Sequence, residues 1–281
     1  MALADDAGTV TVDGTLTLTR LGFGAMRLCG PDIIGPPEDE AAARAVLERA
    51  VELGVDFIDT ADSYGPGVSE RLIGTTLGDR ADLTIGTKAG LLRNLAGDWQ
   101  PHGDPAYLRN QVLCSRDRLR ADTIDLYQFH RPDPETPFEE SVQTFAELKD
   151  AGLVEHVGLS NVTVEQLTTA RDHVSIATVQ NRFNVADREH QPVLEACESA
   201  GIGFIPWYPL AAGDLGNKRG ALETIAERHE ATVRQVALAW LLAHSEVTIP
   251  IPGTSSVEHL EANVGAATLD LDDEDLTRLA A

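Results

Sequence analysis

Short apolar runs of strand length recur along the 281-residue chain, separated by stretches in which Ala, Val and Leu return at helical spacing. The runs are LGFGAMRL at 21–28, FIDTA from 57, LTIGTKAG from 83, IDLYQFH from 124, VEHVGLSN from 154, TVQNRFN from 178, GFIPWYPL from 203 and VTIPIPG from 247. Between them DEAAARAVLERAVELG, PAYLRNQVLCSRDRLR, PFEESVQTFAELKDAG, TVEQLTTARDH and TVRQVALAWLLAHS predict helices, several opening on Pro or Thr and closing before Gly. Eight alternations in about 250 residues are the count of a (β/α)8 TIM barrel, an α/β fold. An open doubly wound sheet has the same periodicity, because strand closure leaves no trace in the pattern.

Two pieces stand outside the alternation. TVTVDGTLTL, from position 9, alternates Thr and Val around Asp13-Gly14, a two-residue hairpin signal, and predicts an N-terminal β-hairpin able to plug one end of a barrel. The tail DLDDEDLTRLAA predicts a short polar helix. With no linker, low-complexity stretch or composition step, residues 1–281 are expected to form one domain.

Charge narrows the choice of partners. Twenty-two Lys and Arg against 45 Asp and Glu give a net charge of −23, which repels nucleic acid and anionic membranes. Only Lys88, Lys149 and Lys218 are lysines. Acid excess with scarce lysine fits a halophilic protein, since a Debye length of roughly 3 Å at 1 M salt screens self-repulsion; codon bias in a GC-rich genome gives the same skew. Cys29, Cys114 and Cys197 match neither a disulfide framework nor a metal motif, and the amino terminus has neither a basic n-region nor an apolar h-region. A cytoplasmic, non-membrane protein is expected, by default a monomer. No metal-ligand spacing, Walker loop or EF-hand pattern occurs, and Gly22-Phe23-Gly24 is followed by Arg27 where a dinucleotide fingerprint needs Gly.

In barrels of this type chemistry gathers where strands end. The second strand ends on Asp59 with Tyr64 just after it, the third on Lys88 and the fourth on His130. A carboxylate, a phenol, an ammonium and an imidazole form a proton-transfer set, with Asp59 pairing Lys88 and the Lys88 charge expected to lower the Tyr64 pKa. Individually, Asp59 and Lys88 also suit a structural ion pair, Tyr64 loop packing, and His130 a strand-end hydrogen bond.

The ordered set LGFGAMRL, FIDTADSYG with Ser69-Glu70, Thr87-Lys88, QFH, GLSN, VQN, WYPL and IPGTSS with Asn263 resembles the aldo-keto reductase superfamily from about Leu21 to Ala267. The resemblance implies an NAD(P)H-dependent oxidoreductase that reduces an aldehyde or ketone by hydride transfer, with Asp59, Tyr64, Lys88 and His130 as catalytic tetrad and Tyr64 as general acid. It implies that Ser160, Asn161 and Gln180 hold the nicotinamide carboxamide, that Trp207 stacks on the ring, and that Gly24, Leu210, Gly253, Thr254, His259 and Asn263 line the rest of the cofactor site. Tyr208 stands where a Ser is common. Asn161-Val162-Thr163 also reads as a glycosylation sequon, but without a secretory signal.

The segment after the last strand departs from the family pattern. NADPH-preferring members usually carry Lys or Arg there, whereas this chain has Gly253, Thr254, Ser255, Ser256 and His259. Family habit favours NADPH, the missing cation favours NADH, and hydroxyls at a helix start can still hold a phosphate.

The substrate is expected to be a small carbonyl compound, meeting Met26, Trp99 and Trp207, with LLRNLAGDWQPHGD after the third strand as a lid loop. The short tail, where many members carry a longer one, suggests an open mouth. GLSNVTVEQL and FIPWYPLAAG are most similar to a microbial subgroup that includes pyridoxal reductases. Two rival readings are a cofactor-binding regulatory subunit with little turnover and a Schiff-base enzyme using Lys88.

Overall fold

The computed structural model describes residues 3–78, 80–210 and 218–280. Seven parallel strands form one sheet in the order β11-β10-β9-β8-β5-β4-β3: β3 (Phe23–Gly24), β4 (Phe57–Asp59), β5 (Thr84–Ala89), β8 (Ile124–Phe129), β9 (Val154–Ser160), β10 (Ile176–Arg182) and β11 (Gly203–Trp207). The eighth predicted strand closes the sheet without forming a ladder. Phe204 N–H donates to Val247 O (2.8 Å) and Ile249 N–H to Phe204 O (2.8 Å) on one side, and Gly22 N–H donates to Pro250 O (3.0 Å) on the other. Pro250 and Pro252 carry no N–H, so this segment can accept where it cannot donate. Closure makes the sheet a barrel, which excludes the open doubly wound alternative.

The helices α1 (Glu40–Glu52), α2 (Val68–Thr76), α3 (Pro105–Leu119), α4 (Phe138–Asp150), α5 (Val164–Arg171), α6 (Gln191–Ala200), α7 (Arg219–Arg228), α8 (Val233–His244) and α9 (Val257–Val264) follow the strands. Their starts are fixed by side chains. Asp39 caps α1 through Ala42 N–H, Asp104 caps α3 ahead of Pro105, and Thr163 with Gln166 and Thr232 with Gln235 make capping boxes on α5 and α8. Their apolar faces and the outer sheet face bury one large core containing Phe23, Leu47, Phe129, Phe145, Leu194 and Trp240. The tail forms α10 (Asp273–Ala280), which is amphipathic rather than polar all round: Leu279 is fully buried, and the Asp275 carboxylate meets Arg228 and His229.

β1 (Thr9–Val12) and β2 (Leu16–Thr19) form the expected hairpin, with Val12 opposite Leu16, so three residues rather than two make the turn. Val12, Leu16 and Leu18 join Phe57, Leu126, Ile205, Ile249 and Ile251 in a second apolar cluster. Phe57 fits there because Gly86 lies beside its ring; a Cβ at position 86 would stand 2.8 Å from Phe57 Cε2. The hairpin thus packs into the inside of the barrel and plugs it.

Other expectations shift in detail. Only Phe23 and Gly24 of 21–28 pair as a strand, and the chain then turns through a 3-10 helix at Ala25–Leu28. The expected lid loop is a second hairpin, β6 (Leu91–Arg93) against β7 (Trp99–Pro101). Arg93 covers the Trp99 ring at 3.8 Å and donates to Gly97 O, Asp32 O and Ile33 O, clipping the hairpin to the turn at Pro31–Ile33. Among the described residues no helix is long and apolar enough to cross a membrane.

Candidate functional site

Asp59 ends β4, Lys88 lies near the end of β5 and His130 follows β8, so three neighbouring strands deliver them to one end of the barrel. Lys88 is fully buried and donates to Asp59 Oδ2 at 2.6 Å and to Thr60 O at 2.8 Å. Asp59 Oδ1 accepts from Gln180 Nε2 (2.7 Å) and Gln128 Nε2 (3.2 Å). With both oxygens engaged, the carboxylate holds the ammonium in a fixed direction. Tyr64 sits above this pair, its ring centroid 5.3 Å from Lys88 Nζ, and meets the His130 ring edge to face at 5.9 Å.

Burial and neighbouring charge settle the protonation states. Burial first, then the Asp59 charge, push the Tyr64 phenol well above its ordinary value. The expected lowering by Lys88 is therefore not found: that ammonium is turned toward Asp59, and desolvation of the phenolate outweighs it. Burial, aided by Lys88 and Arg131, holds His130 well below the usual imidazole range, so the ring is neutral near pH 7. Burial pushes Lys88 down, opposed by Asp59.

Tyr64 and His130 open onto a cavity of about 670 Å³, a volume in the range of cofactor sites. Asp59, Gly24, Ser160, Asn161 and Gln180 line it, as do Trp207 and Leu210. Gly253, Thr254, His259 and Asn263 form another part of its wall, with Ser255; Met26 lines it too, and Trp99 meets the Tyr64 ring edge to face at 6.3 Å. Ser256 instead caps α9 by accepting from His259 N–H. Every residue assigned to the site from sequence lines this cavity except Lys88, which lies beneath it.

The polar wall is internally bonded. Asn161 adopts φ 60° and donates to His130 O and Ser160 Oγ, while its Oδ1 accepts from Trp207 Nε1 at 3.1 Å and Arg131 at 3.4 Å. Ser160 Oγ donates to Gln180 O at 2.8 Å. This chain of bonds ties the plane of the Trp207 ring to the strand end carrying His130.

Sequence reasoning missed several residues at the site. Gln128, which braces Asp59 from beneath the cavity, is two residues before His130, so strand alternation already put it on the same face. Ile33 and Leu91 come from the 3-10 turn and the clipped hairpin, Tyr208 from a left-handed turn at φ 63°, and Arg27 and Arg234 from outside the strand ends. No pattern marks Arg234, which stands in the first turn of α8.

The family model described as aldo/keto reductase matches residues 20–281. The chain belongs to the aldo/keto reductase family. It is 46% identical over 276 residues to an uncharacterized oxidoreductase of Schizosaccharomyces pombe, covering 98% of this chain and 90% of that one. It is 41% identical over 274 residues to pyridoxine 4-dehydrogenase of Escherichia coli, covering 95% of each. An aldo/keto reductase of Klebsiella pneumoniae, solved with NADP and acetate, superposes with a TM-score of 0.79 at 26% identity, covering 96% of this chain and 93% of that one. This aldo/keto reductase is thus an oxidoreductase with an α/β barrel.

Proposed function

We propose that the chain is an NADPH-dependent carbonyl reductase with Tyr64 as general acid, Lys88 and His130 as its electrostatic partners and Asp59 as the anchor of Lys88. The observation that carries this reading is the convergence of a buried protonated phenol, a neutral imidazole and a carboxylate-held ammonium on one cavity. A reduced nicotinamide bound there supplies the hydride. The wall suits such a group: Ser160, Asn161 and Gln180 offer hydroxyl and amide functions, and Trp207 offers a ring face. The Klebsiella relative, solved with NADP, supports the choice of cofactor.

The residues then divide the work. A phenol kept protonated by burial is an acid ready to donate to the carbonyl oxygen as negative charge develops there. Lys88 favours the resulting phenolate once its proton has gone, and Asp59 keeps the ammonium from turning away. His130, neutral, can give the same oxygen a hydrogen bond without competing for the proton. The substrate class we favour is an aromatic aldehyde such as pyridoxal, supported by the pyridoxine 4-dehydrogenase relative and by the apolar flank of Met26, Leu91 and Trp99.

The test is oxidation of NADPH and NADH with pyridoxal and a nitrobenzaldehyde, for the wild type and Tyr64→Phe. NADPH turnover is expected, and the substitution is expected to lower kcat by about 10²- to 10⁴-fold with cofactor Kd unchanged. Wild-type inactivity with both cofactors, or full activity in Tyr64→Phe, would overturn the reading.

A further inference from the structure

A neutral imidazole carries its hydrogen on one ring nitrogen and accepts at the other, so only one of its two forms can donate in a given direction. To donate to a substrate oxygen, His130 must carry that hydrogen on the nitrogen facing the cavity. Its backbone is fixed on both sides: His130 N–H donates to Ala89 O at 2.8 Å, and His130 O accepts from Asn161 Nδ2 at 3.0 Å. Neither bond decides which nitrogen is protonated.

The ring nitrogens have a single polar contact among the described residues. Ser63 Oγ stands 3.5 Å from His130 Nδ1, and both residues are buried. That separation is long for a hydrogen bond, as catalytic contacts commonly are until substrate tightens them. The kind of partner matters. His156 Nδ1 faces the Asp13 carboxylate and His229 Nε2 that of Asp275, groups that only accept and so draw the hydrogen to the nitrogen facing them. The charges acting on His130 are instead the cations Lys88 and Arg131. A hydroxyl standing where those rings have a carboxylate is able to donate. Among the described residues Nδ1 is the one hydrogen-bond partner of Ser63 Oγ, and a buried hydroxyl hydrogen is costly to leave without an acceptor. The Ser63 hydroxyl therefore donates to Nδ1, and Nε2 carries the imidazole hydrogen. The His130 ring lines the cavity whereas Ser63 does not, so Nε2 is the nitrogen offered to it.

Ser63 is itself held in place. It belongs to the tight turn from Ala61 to Tyr64, closed by Tyr64 N–H donating to Ala61 O at 3.2 Å. Asp62 N–H donates to Lys88 O at 3.1 Å, and Asp62 Oδ2 accepts from the Tyr107 hydroxyl at 2.6 Å, which pins the turn to β5 and to α3. The same turn delivers Tyr64. One turn thus sets both the phenol and, through Ser63, the imidazole.

We propose that Ser63 is a positioning residue whose hydroxyl, donating to His130 Nδ1, fixes the ring as an Nε2–H donor aimed into the cavity. The assignment rests on the reductase reading given above. It gives a task to a residue of FIDTADSYG that neither the proton-transfer set nor the cavity wall includes.

Long-range ¹H–¹⁵N correlation spectra of protein labelled with ¹⁵N-histidine test it without turnover, with His130→Gln identifying the His130 resonances. Wild type, Ser63→Ala and Ser63→Thr are compared, with melting curves to verify folding and NADPH-dependent reduction of pyridoxal measured alongside. In the wild type, Nε2 is expected at the shift of a protonated ring nitrogen and Nδ1 at that of an unprotonated nitrogen accepting a hydrogen bond. Ser63→Ala should move Nδ1 to the shift of an unbonded nitrogen and lower kcat about 3- to 10-fold, with cofactor Kd changed less than about twofold. Ser63→Thr restores the hydroxyl and should recover the Nδ1 signal and most of kcat; if its extra methyl unfolds the chain, the Ala variant alone decides. Wild-type protonation at Nδ1, an Nδ1 signal indifferent to Ser63→Ala, an unchanged kcat, or a folded Thr variant that regains neither would each overturn the positioning role while leaving the reductase reading in place. A wild type that reduces no carbonyl with either cofactor would take down that reading, and the nitrogen shifts would still report whether Ser63 donates.

Discussion

Asp62, two residues before Tyr64, is buried with Oδ2 accepting from the Tyr107 hydroxyl at 2.6 Å and Oδ1 without a partner among the described residues. Burial, then repulsion from Glu70, pushes its carboxyl up to about 7. An unfolded Asp ionises near 3.9, so between about pH 4 and 7 the folded chain binds more protons and stability falls as pH rises through that window. His130 acts in the opposite sense: its folded pKa is depressed, so its contribution to stability is lost as pH falls below about 6.5, where the unfolded ring takes up a proton. Asp62→Asn preserves an acceptor for Tyr107 and removes the first effect alone. Thermal melts should show the variant gaining on the wild type steadily from about pH 4.5 to 7.5. A gap independent of pH would mean that Asp62 is ionised in the fold throughout. Such effects are hard to read from sequence. FIDTADSYG displays Asp59, Asp62 and Tyr64 plainly, but burial decides their protonation, and burial belongs to the closed barrel. For the same reason the Tyr64 shift runs opposite to the expected one, while the identity of the four converging residues was legible from strand ends.

At the scale of elements, periodicity sufficed where elements were long and failed where they were short. Helices of eight or more residues with caps, such as α1, α3 and α8, were readable from Asp39, Pro105 and Thr232. The three-residue strands β6 and β7 are too brief for an alternation, and their pairing depends on Arg93, which reaches back to the turn at Pro31–Ile33. Arg93→Ala removes that clip and the cover over Trp99. Amide exchange in residues 94–98 should then accelerate by at least about tenfold, a local opening on the scale of one or two lost hydrogen bonds. Unchanged exchange would show that strand pairing alone holds the hairpin. The plug is sterner. Leu18 is fully buried inside the barrel, and Leu18→Ala should cost about 2–5 kcal/mol in denaturant unfolding, against the half kilocalorie or so expected of a surface change. A cost of the surface size would mean that the hairpin is not part of the packed interior.

For the whole molecule, net charge is the dominant fact. Ion pairs such as Arg49–Glu261, which ties α1 to α9, and Arg109–Glu147, which ties α3 to α4, lie near the surface and lose strength as salt rises. The excess of 23 negative charges repels itself and is relieved by the same salt. Because unpaired carboxylates outnumber pairs, relief should win, and the melting temperature should climb from ~0.1 to ~2 M KCl. A falling melting temperature would show that the ion pairs outweigh the repulsion. The barrel as a whole was legible because each alternation of strand and helix repeats the same signal; its eighth strand was legible as sequence yet irregular in fact, since two prolines remove the donors a ladder needs.

The hairpin at 9–19 carries one more implication. With Val12, Leu16 and Leu18 stoppering the floor over a packed interior, the two ends of the barrel are unequal, and the end away from the hairpin carries the cavity. Whatever reaches the cavity must come and go at the mouth, and the sealed end is held by apolar side chains that take no part in the chemistry.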